Sequence, residues 1–311
     1  ILSGRLETLN NWITSISPNI LAAHPLLLVF LGDNARLHSR FQEALGWYRQ
    51  AEERSRIIGD THTTSQALHG QAKVYLDTVN PIQADLLLQE ALKLVDGTGD
   101  RENRARLLEL LAENKLNSGQ PREAESYHKK ARELREIAPG ETELSVRVLL
   151  RTGKLEQARK MLEARVITEK HEPFPTARAH RETLLLLALI LEFQGEWEAA
   201  YEYAREGITR GEALQSPFVV AVGKMRLGHA ALLRDTHPGY LEAVEAHNDA
   251  IRLADSLSVP RLKVEAFWGL VRAYGFKGEL DLAEKAAAQG LEQGRLAGDE
   301  WISALILVSM G

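Results

Sequence analysis

The sequence contains ten histidines, the side chains that most often bind metals and carry protons in proteins. No two of them are four residues apart, which is the spacing that puts two imidazoles on one face of a helix. One Glu-x-x-His motif runs from Glu125 to His128. Di-iron helical bundles need a second copy of this motif, which the sequence lacks. We therefore expect no metal site, and we expect His128 to lie near solvent on an outer helix.

Signatures of nucleophilic catalysis and of phosphate binding are also missing. The sequence has neither a Gly-x-Ser-x-Gly elbow nor a Gly-x-Gly-x-x-Gly loop. Thr152-Gly153-Lys154-Leu155 lacks the first glycine and the hydroxyl residue of a nucleotide-binding P-loop. The absence of cysteine excludes thiol nucleophiles, thiolate zinc sites and disulfides, and it is compatible with a cytoplasmic location. We expect a protein that is not an enzyme and has no cofactor.

The composition is that of a folded, weakly acidic chain. Its 311 residues exceed the usual size of one hydrophobic core, so the chain holds either two domains or a repeat array. A net charge of -5 provides no general attraction to phosphate backbones, so we expect no direct contact with nucleic acid. The longest apolar run, Leu184 to Leu191, is far shorter than the roughly 20 residues of a membrane-spanning helix. We expect a buried helix there, and no membrane contact.

A recurring pattern of small side chains indicates the helices that must position any functional residue. Pairs of them recur seven residues apart, at intervals of 34 to 43 residues between successive pairs: Ala44 and Ala51, Ala84 and Ala91, Ala124 and Ala131, Ala200 and Gly207, Ala243 and Ala250, and Ala283 and Gly290, with Ala158 beginning a seventh, imperfect pair. Seven residues make two helical turns, so each pair lies on one helix face, where small side chains permit close approach. This regularity predicts a repeat array.

Each repeat is expected to be a pair of helices. A second column of small or modest residues precedes the pairs and falls on the first helix: Gly32, Ala72, Ala112, Val146, Ala188, Gly228 and Val271. Four repeats carry a glycine five residues before the pair, and these glycines predict left-handed turns between the helices: Gly119, Gly153, Gly195 and Gly278. Apolar first helices would stay soluble only if neighbouring pairs covered them. The predicted organisation is a helical entry segment at 1–25, seven helix pairs at 26–298 and the start of a further repeat at 299–311.

The three columns of small residues resemble the tetratricopeptide repeat at its eighth, twentieth and twenty-seventh positions. The resemblance covers nearly the whole chain and implies an all-α, right-handed superhelical solenoid of antiparallel helix pairs. The period differs, because most intervals are 40 to 43 residues instead of the family's 34. The extra residues fall at repeat exits such as Gly59-Asp60, where glycine can end one helix and aspartate can cap the next.

The amino end carries a more particular pattern. The segment from Leu6 to Ile16 has Trp12 on the apolar side of an amphipathic helix, and a later helix begins at His24-Pro25. This resembles the start of the repeat region in large LuxR-type transcriptional activators related to the maltose-regulon activator, which have a Leu-x-x-Trp-x-x-x-Leu motif followed by a helix that starts at His-Pro. In that family the repeats form a sensor between a nucleotide-binding module and a helix-turn-helix. The resemblance implies that DNA binding belongs to a downstream domain outside this chain.

The concave wall of such an array is where a ligand is expected, since the first helix of each pair lines it. By the tetratricopeptide resemblance, the residues three before and one after the first-helix small position point into the groove. This rule, with two neighbouring arginines, selects Arg36, His69, Lys73, Arg106, Glu109, Glu113, Arg147, Trp268 and Arg272. The paired N–H donors of arginine and the flat indole of tryptophan suit a carboxylate, phosphate, sugar or peptide ligand. The alternative is that these residues are simply solvated or paired with one another.

The fifth repeat places Leu185, Leu189 and Phe193 in the same stripe. Internal packing is the favoured interpretation of these apolar residues, and a docking surface is the alternative.

Two functions fit this pattern. In the first, the chain is the sensor domain of a bacterial transcriptional regulator and binds a small-molecule inducer or a regulatory protein in its groove. In the alternative, it is a free-standing tetratricopeptide scaffold that binds a peptide or protein partner. Under either function the full-length protein could also self-associate.

Overall fold

A computed structural model describes residues 6–135, 143–171, 182–298 and 300–311. Throughout these ranges the regular structure is helical and no strand occurs, which confirms the all-α prediction. The described helices are α1 Leu6–Thr14, α2 Pro18–Ala23, α3 Pro25–Leu37, α4 Phe41–Ile58, α5 Thr61–Asp77, α6 Pro81–Val95, α7 Arg101–Asn117, α8 Pro121–Arg135, α9 Glu143–Arg151, α10 Leu155–Glu169, α11 Thr183–Phe193, α12 Trp197–Ala213, α13 Pro217–Leu232, α14 His237–Leu257, α15 Pro260–Lys277, α16 Leu280–Ala297 and α17 Glu300–Met310.

From α3 onward the helices alternate between a first and a second helix of a pair, from α3 with α4 to α15 with α16. Turns of a few residues join the two members, so they pack as antiparallel neighbours. The chain divides into two compact units, of which unit 1 holds α1 to α8 and unit 2 holds most of α9 and α10 to α17.

The turn residues act as the sequence predicts. Gly119, Gly153, Gly195 and Gly278 all have φ between +73° and +79°, the left-handed conformation that glycine adopts without a steric penalty. At a repeat exit, Gly59 ends α4 with φ of 73°. The side chain of Asp60 then accepts a hydrogen bond from the Thr63 amide and caps α5. Glycine turns and side-chain caps thus set where these helices end and the next begin.

Within each unit the first helices form the inner layer. In unit 1, α3 packs on α5 and α5 on α7; in unit 2, α11 packs on α13, α13 on α15 and α15 on α17. Consecutive second helices lack comparable packing in the described part of the chain. The inner surface of each unit is therefore made by first helices, as the groove prediction requires.

A size match between helices sets how closely the first helices approach. Four residues after each leading small residue, the second helix carries a buried side chain, which is Tyr48 in α4 and His247 in α14. Tyr48 lies against Gly32 and Gly70, where a methyl group in place of either glycine hydrogen would stand 2.5 and 2.2 Å from the phenol ring.

His247 has the same position between Gly228 and Gly269, where the corresponding separations are 2.7 and 2.1 Å. Each of these aromatic rings thus fills the space that two glycines on successive first helices leave open.

Two expectations about individual side chains are wrong. The α1 helix buries Ile13, which is 2% exposed, and turns Trp12 outward with 67% of its surface exposed. His128 is 8% exposed and not near solvent, because it occupies the buried second-helix column that Tyr48 and His247 also occupy.

Replacing Gly269 by alanine should reduce the free energy of unfolding by about 1–3 kcal/mol, because the new methyl group overlaps the rigid His247 ring. Gly275 lies on the same helix with no neighbouring atom within 4 Å of the equivalent position, so Gly275→Ala is the matched control. The control should be neutral or stabilising by up to about 1 kcal/mol, since alanine favours the helix. Urea unfolding of both variants measures the difference, and equal effects would contradict the size match.

Candidate functional site

Unit 1 gathers four of the predicted groove residues around one imidazole. His69 and Lys73 lie on α5, Arg36 on α3 and Arg106 on α7, so three successive first helices contribute. Burial lowers the pKa of His69 well below its usual value, and the positive charges of Lys73, Arg36 and Arg106 lower it further. This imidazole is therefore neutral at physiological pH.

The arginines of this group already have carboxylate partners. Arg36 donates from Nη1 to Oδ2 of Asp77 at 2.5 Å, and both side chains are largely buried. Arg106 donates from Nε to Oε1 of Glu102 at 2.9 Å, with both side chains more than half exposed. The first pair is a fixed part of the inner layer, whereas the exposed second pair contributes little to stability.

The two predicted glutamates on α7 differ in their surroundings. Glu109 accepts a hydrogen bond of 2.5 Å from Nη1 of Arg135, at the end of α8. Glu113 is 7% exposed and therefore enclosed. The inner surface of unit 1 thus combines cations and carboxylates, and many of its charges are paired within the unit.

Arg147 lies on α9 and is only 6% exposed. Its side chain is thus enclosed and is not presented to an open groove.

In unit 2 the structure brings Trp268 and Arg272 together on α15. The Arg272 guanidinium carbon lies 5.0 Å from the centre of the Trp268 ring, a cation–π arrangement. The indole Nε1 donates to Oγ of Ser309 on α17 at 3.1 Å. Phe193 of α11 lies beside the indole with ring centres 6.5 Å apart. Residues from three first helices thus meet at one point of the inner layer.

Arg272 is held by two buried groups that are not among the nine predicted groove residues. Its Nη1 donates to Oε1 of Glu192 at 2.6 Å and lies 3.1 Å from Nδ1 of His229. Glu192 is 4% exposed and His229 is fully enclosed. Burial raises the pKa of Glu192, while the charges of Arg272 and Arg226 act in the opposite direction. The arginine therefore compensates a carboxylate buried two helix pairs earlier in the chain.

A second buried ion pair links α13 to α15. Arg226 donates to Oε1 of Glu265 through Nη1 and to the Leu185 carbonyl through Nε at 3.2 Å. Arg261 donates to the other oxygen of Glu265 at 2.9 Å. Burial lowers the pKa of Arg226 to about 10. Removing one member would strand a buried charge, which costs more stability than an intact pair provides.

Two neutral histidines complete this cluster. His229 and His247 meet edge to face with ring centres 4.7 Å apart, and His229 lies 4.6 Å from the Trp268 ring centre. Burial lowers the pKa of His247 to about 3, and the charges of Arg272 and Arg226 contribute in the same direction. Burial likewise lowers the pKa of His229 well below its usual value. Both rings therefore serve as uncharged packing groups at neutral pH.

The sequence held partial signals for His229 and Glu192, which the predicted groove residues do not include. The same rule applied to Gly228 reaches His229 at the following position. Glu192 is the one charged residue inside the apolar helix α11. Leu185 and Leu189 are 1% and 4% exposed, which confirms internal packing for the leucines of this stripe. Phe193 keeps 38% of its surface exposed, so the stripe ends at the solvent.

Two further classes of site are not found. Across the described ranges, no group of three or more histidine, aspartate or glutamate side chains is placed to hold a metal ion. None of the described helices is long and apolar enough to cross a membrane.

Comparison with known proteins shows the fold and not a family. No protein-family model matches the chain, and no curated protein matches it. A crystal structure of a Rap protein complexed with competence and sporulation factor matches with a TM-score of 0.63 at 17% identity, covering 96% of this chain and 80% of the Rap chain. A signal-transduction ATPase with a tetratricopeptide repeat sensor from Pyrococcus horikoshii matches with a TM-score of 0.49 at 14% identity, covering 96% of this chain and 50% of that one. The likeness to the Rap protein supports a tetratricopeptide-like helical-repeat fold.

Acidification should destabilise the protein through its buried histidines. His247 binds fewer protons when folded, so its contribution to stability is complete above about pH 6.5 and is lost as the pH falls toward its folded pKa of about 3. Between pH 6.5 and 5 this one group should cost about 2 kcal/mol of unfolding free energy. Urea unfolding at a series of pH values measures the slope.

The matched variant is His247→Phe, which keeps an aromatic ring but cannot be protonated. His247→Phe should flatten the pH dependence of the unfolding free energy. The assignment of the pH dependence to His247 fails if the His247→Phe protein loses stability as steeply as the native chain.

Proposed function

We propose that this chain is a non-catalytic module that binds a peptide or protein segment on the inner helices of its units. The observation that carries this proposal is the group formed by Phe193, Trp268 and Arg272 on the inner layer of unit 2. Phe193 and the guanidinium of Arg272 are partly exposed, and the buried Trp268 packs against both. Aromatic and arginine side chains are the residues that most often dominate the energy of protein recognition.

The surroundings of this group favour binding over catalysis. Glu192 and Glu265 are engaged by Arg272, Arg226 and Arg261 and are not aimed at an open cleft. General acid–base catalysis needs a group that reaches the substrate and titrates near the working pH. The nearby His247 is fully enclosed and has a pKa of about 3. These groups are suited to holding the inner layer in one geometry.

The fold comparison supports a binding role. The Rap protein that shares this fold was crystallised with competence and sporulation factor. Within each unit, first helices that pack closely form an inner surface, and surfaces of this kind are used for binding in repeat proteins. We extend that use to this chain.

A second candidate function is the sensor domain of a transcriptional regulator. The Leu-x-x-Trp pattern around Trp12, the helix that begins at Pro25 after His24 and the period of about 40 residues support it. In that case the bound molecule is a small-molecule inducer or a regulatory protein, and the nucleotide-binding and DNA-binding steps belong to other domains.

A selection of displayed random peptides on the whole chain should yield binders that raise its melting temperature. A ligand that binds only the folded state adds about 2.7 kcal/mol of stability at a hundredfold excess over its dissociation constant. A library of small metabolites, screened by the same thermal shift, tests the sensor function. Stabilisation by a metabolite without enrichment of any peptide would favour the sensor and overturn the peptide-binding proposal.

A further inference from the structure

We infer that the inner layer of unit 2 contains a carboxylate-binding site centred on Arg272, and that its ligand is a peptide with an acidic residue next to an apolar one. The acidic side chain would bind the guanidinium, and the apolar side chain would pack on the exposed part of Phe193, which lies against the buried Trp268. This inference rests on the proposed function and specifies the chemistry of the partner.

The first step is the unused edge of the Arg272 guanidinium. Its hydrogen bonds to Glu192 and His229 both involve Nη1. Among the described residues, Nε and Nη2 have no hydrogen-bond partner, and the side chain is 23% exposed. Nε and Nη2 lie on the same edge of the planar guanidinium. That edge can donate two parallel hydrogen bonds to one carboxylate.

The second step is that this edge is held in place before any ligand arrives. Glu192 is 4% exposed and fixes Nη1 at 2.6 Å, while the Trp268 ring lies 5.0 Å from the guanidinium carbon. A free surface arginine loses rotamer entropy when it binds a ligand, and an arginine that is already held in place loses less. The buried contacts therefore favour recognition at the remaining edge.

The third step is the charge of the cluster. Three arginines, Arg226, Arg261 and Arg272, face two carboxylates, Glu192 and Glu265. His229 and His247 add no charge at neutral pH, since burial lowers the pKa of both. Arg272 is the most exposed of the three guanidiniums, with 23% of its side chain exposed against 6% for Arg226 and 12% for Arg261. It therefore presents the positive charge of the cluster to solvent, and an anionic ligand complements it.

The fourth step is the apolar surface beside this charge. Phe193 is 38% exposed and its ring lies 6.5 Å from that of Trp268, whereas Leu185 and Leu189 in the same stripe are enclosed. The exposed part of Phe193 therefore borders the site and offers an apolar contact beside the guanidinium. A carboxylate next to an apolar side chain matches this pair of surfaces.

The test starts from displayed random peptides selected on the whole chain. The enriched peptides should share an aspartate or glutamate adjacent to an aromatic or aliphatic residue. In fluorescence anisotropy, Arg272→Lys should raise the dissociation constant of such a peptide at least about tenfold, because lysine keeps the charge but lacks the forked edge. Phe193→Ala should also raise the dissociation constant of the same peptide. Arg252→Lys, at an exposed position on α14, is the matched control and should change binding less than about twofold.

A double-mutant cycle separates direct contact from a structural effect. Changing the acidic residue of the peptide to its amide should weaken binding to the native chain at least about tenfold, and should weaken binding to Arg272→Lys much less. Circular dichroism and the melting temperature check that the variant is folded. If Arg272→Lys does not fold, the double variant Glu192→Gln with Arg272→Gln replaces it in the cycle. This double variant removes both charges of the buried pair together.

The results distinguish this site from the proposed function. Enriched peptides without an acidic residue, or an acidic peptide whose binding is insensitive to Arg272, would overturn the site while leaving peptide binding in place. Failure to enrich any peptide would overturn the proposed function and the site together.

Discussion

Close contact between the first helices depends on a match between large and small side chains. Tyr48 and His247 are fully enclosed on second helices, and each meets two glycines on successive first helices. Dense packing leaves no room for an added methyl group at those glycines. Gly32 and Gly228 also belong to the repeat pattern. Gly32 makes room for the Tyr48 ring and Gly228 makes room for the His247 ring, each between two first helices. The spacing between α3 and α5 and between α13 and α15 follows from this contact.

The charged cluster of unit 2 is a consequence of that spacing. Because α11, α13 and α15 approach closely, Arg272 reaches Glu192 at 2.6 Å although 80 residues separate them in the chain. Taking these charges out of water costs free energy that the ion pairs and hydrogen bonds must offset. The cluster is therefore poor evidence for added stability. It fixes the orientation of the partly exposed Arg272, and a fixed orientation is what a binding surface requires.

The inner layers of the two units differ in how their charges are arranged. In unit 1, Arg36 and Asp77 form a buried ion pair, whereas the exposed ion pair between Arg106 and Glu102 can rearrange readily. In unit 2, the carboxylates of Glu192 and Glu265 are almost fully enclosed, and the partly exposed Arg272 marks where the cluster meets solvent. We therefore assign the specific part of recognition to unit 2.

The sequence by itself determined the helix pairs, the left-handed glycine turns and the tetratricopeptide-like repeat, because these follow from local backbone chemistry and from a period repeated many times. It also placed Trp268 and Arg272 on one face of α15, since four residues separate them. Only the tertiary structure shows that Arg147 is buried, that Trp12 faces solvent and that Glu192 contacts Arg272. Those outcomes depend on how closely separate helices approach and on the way they face. Contacts between side chains far apart in the chain set both, and no local pattern encodes them.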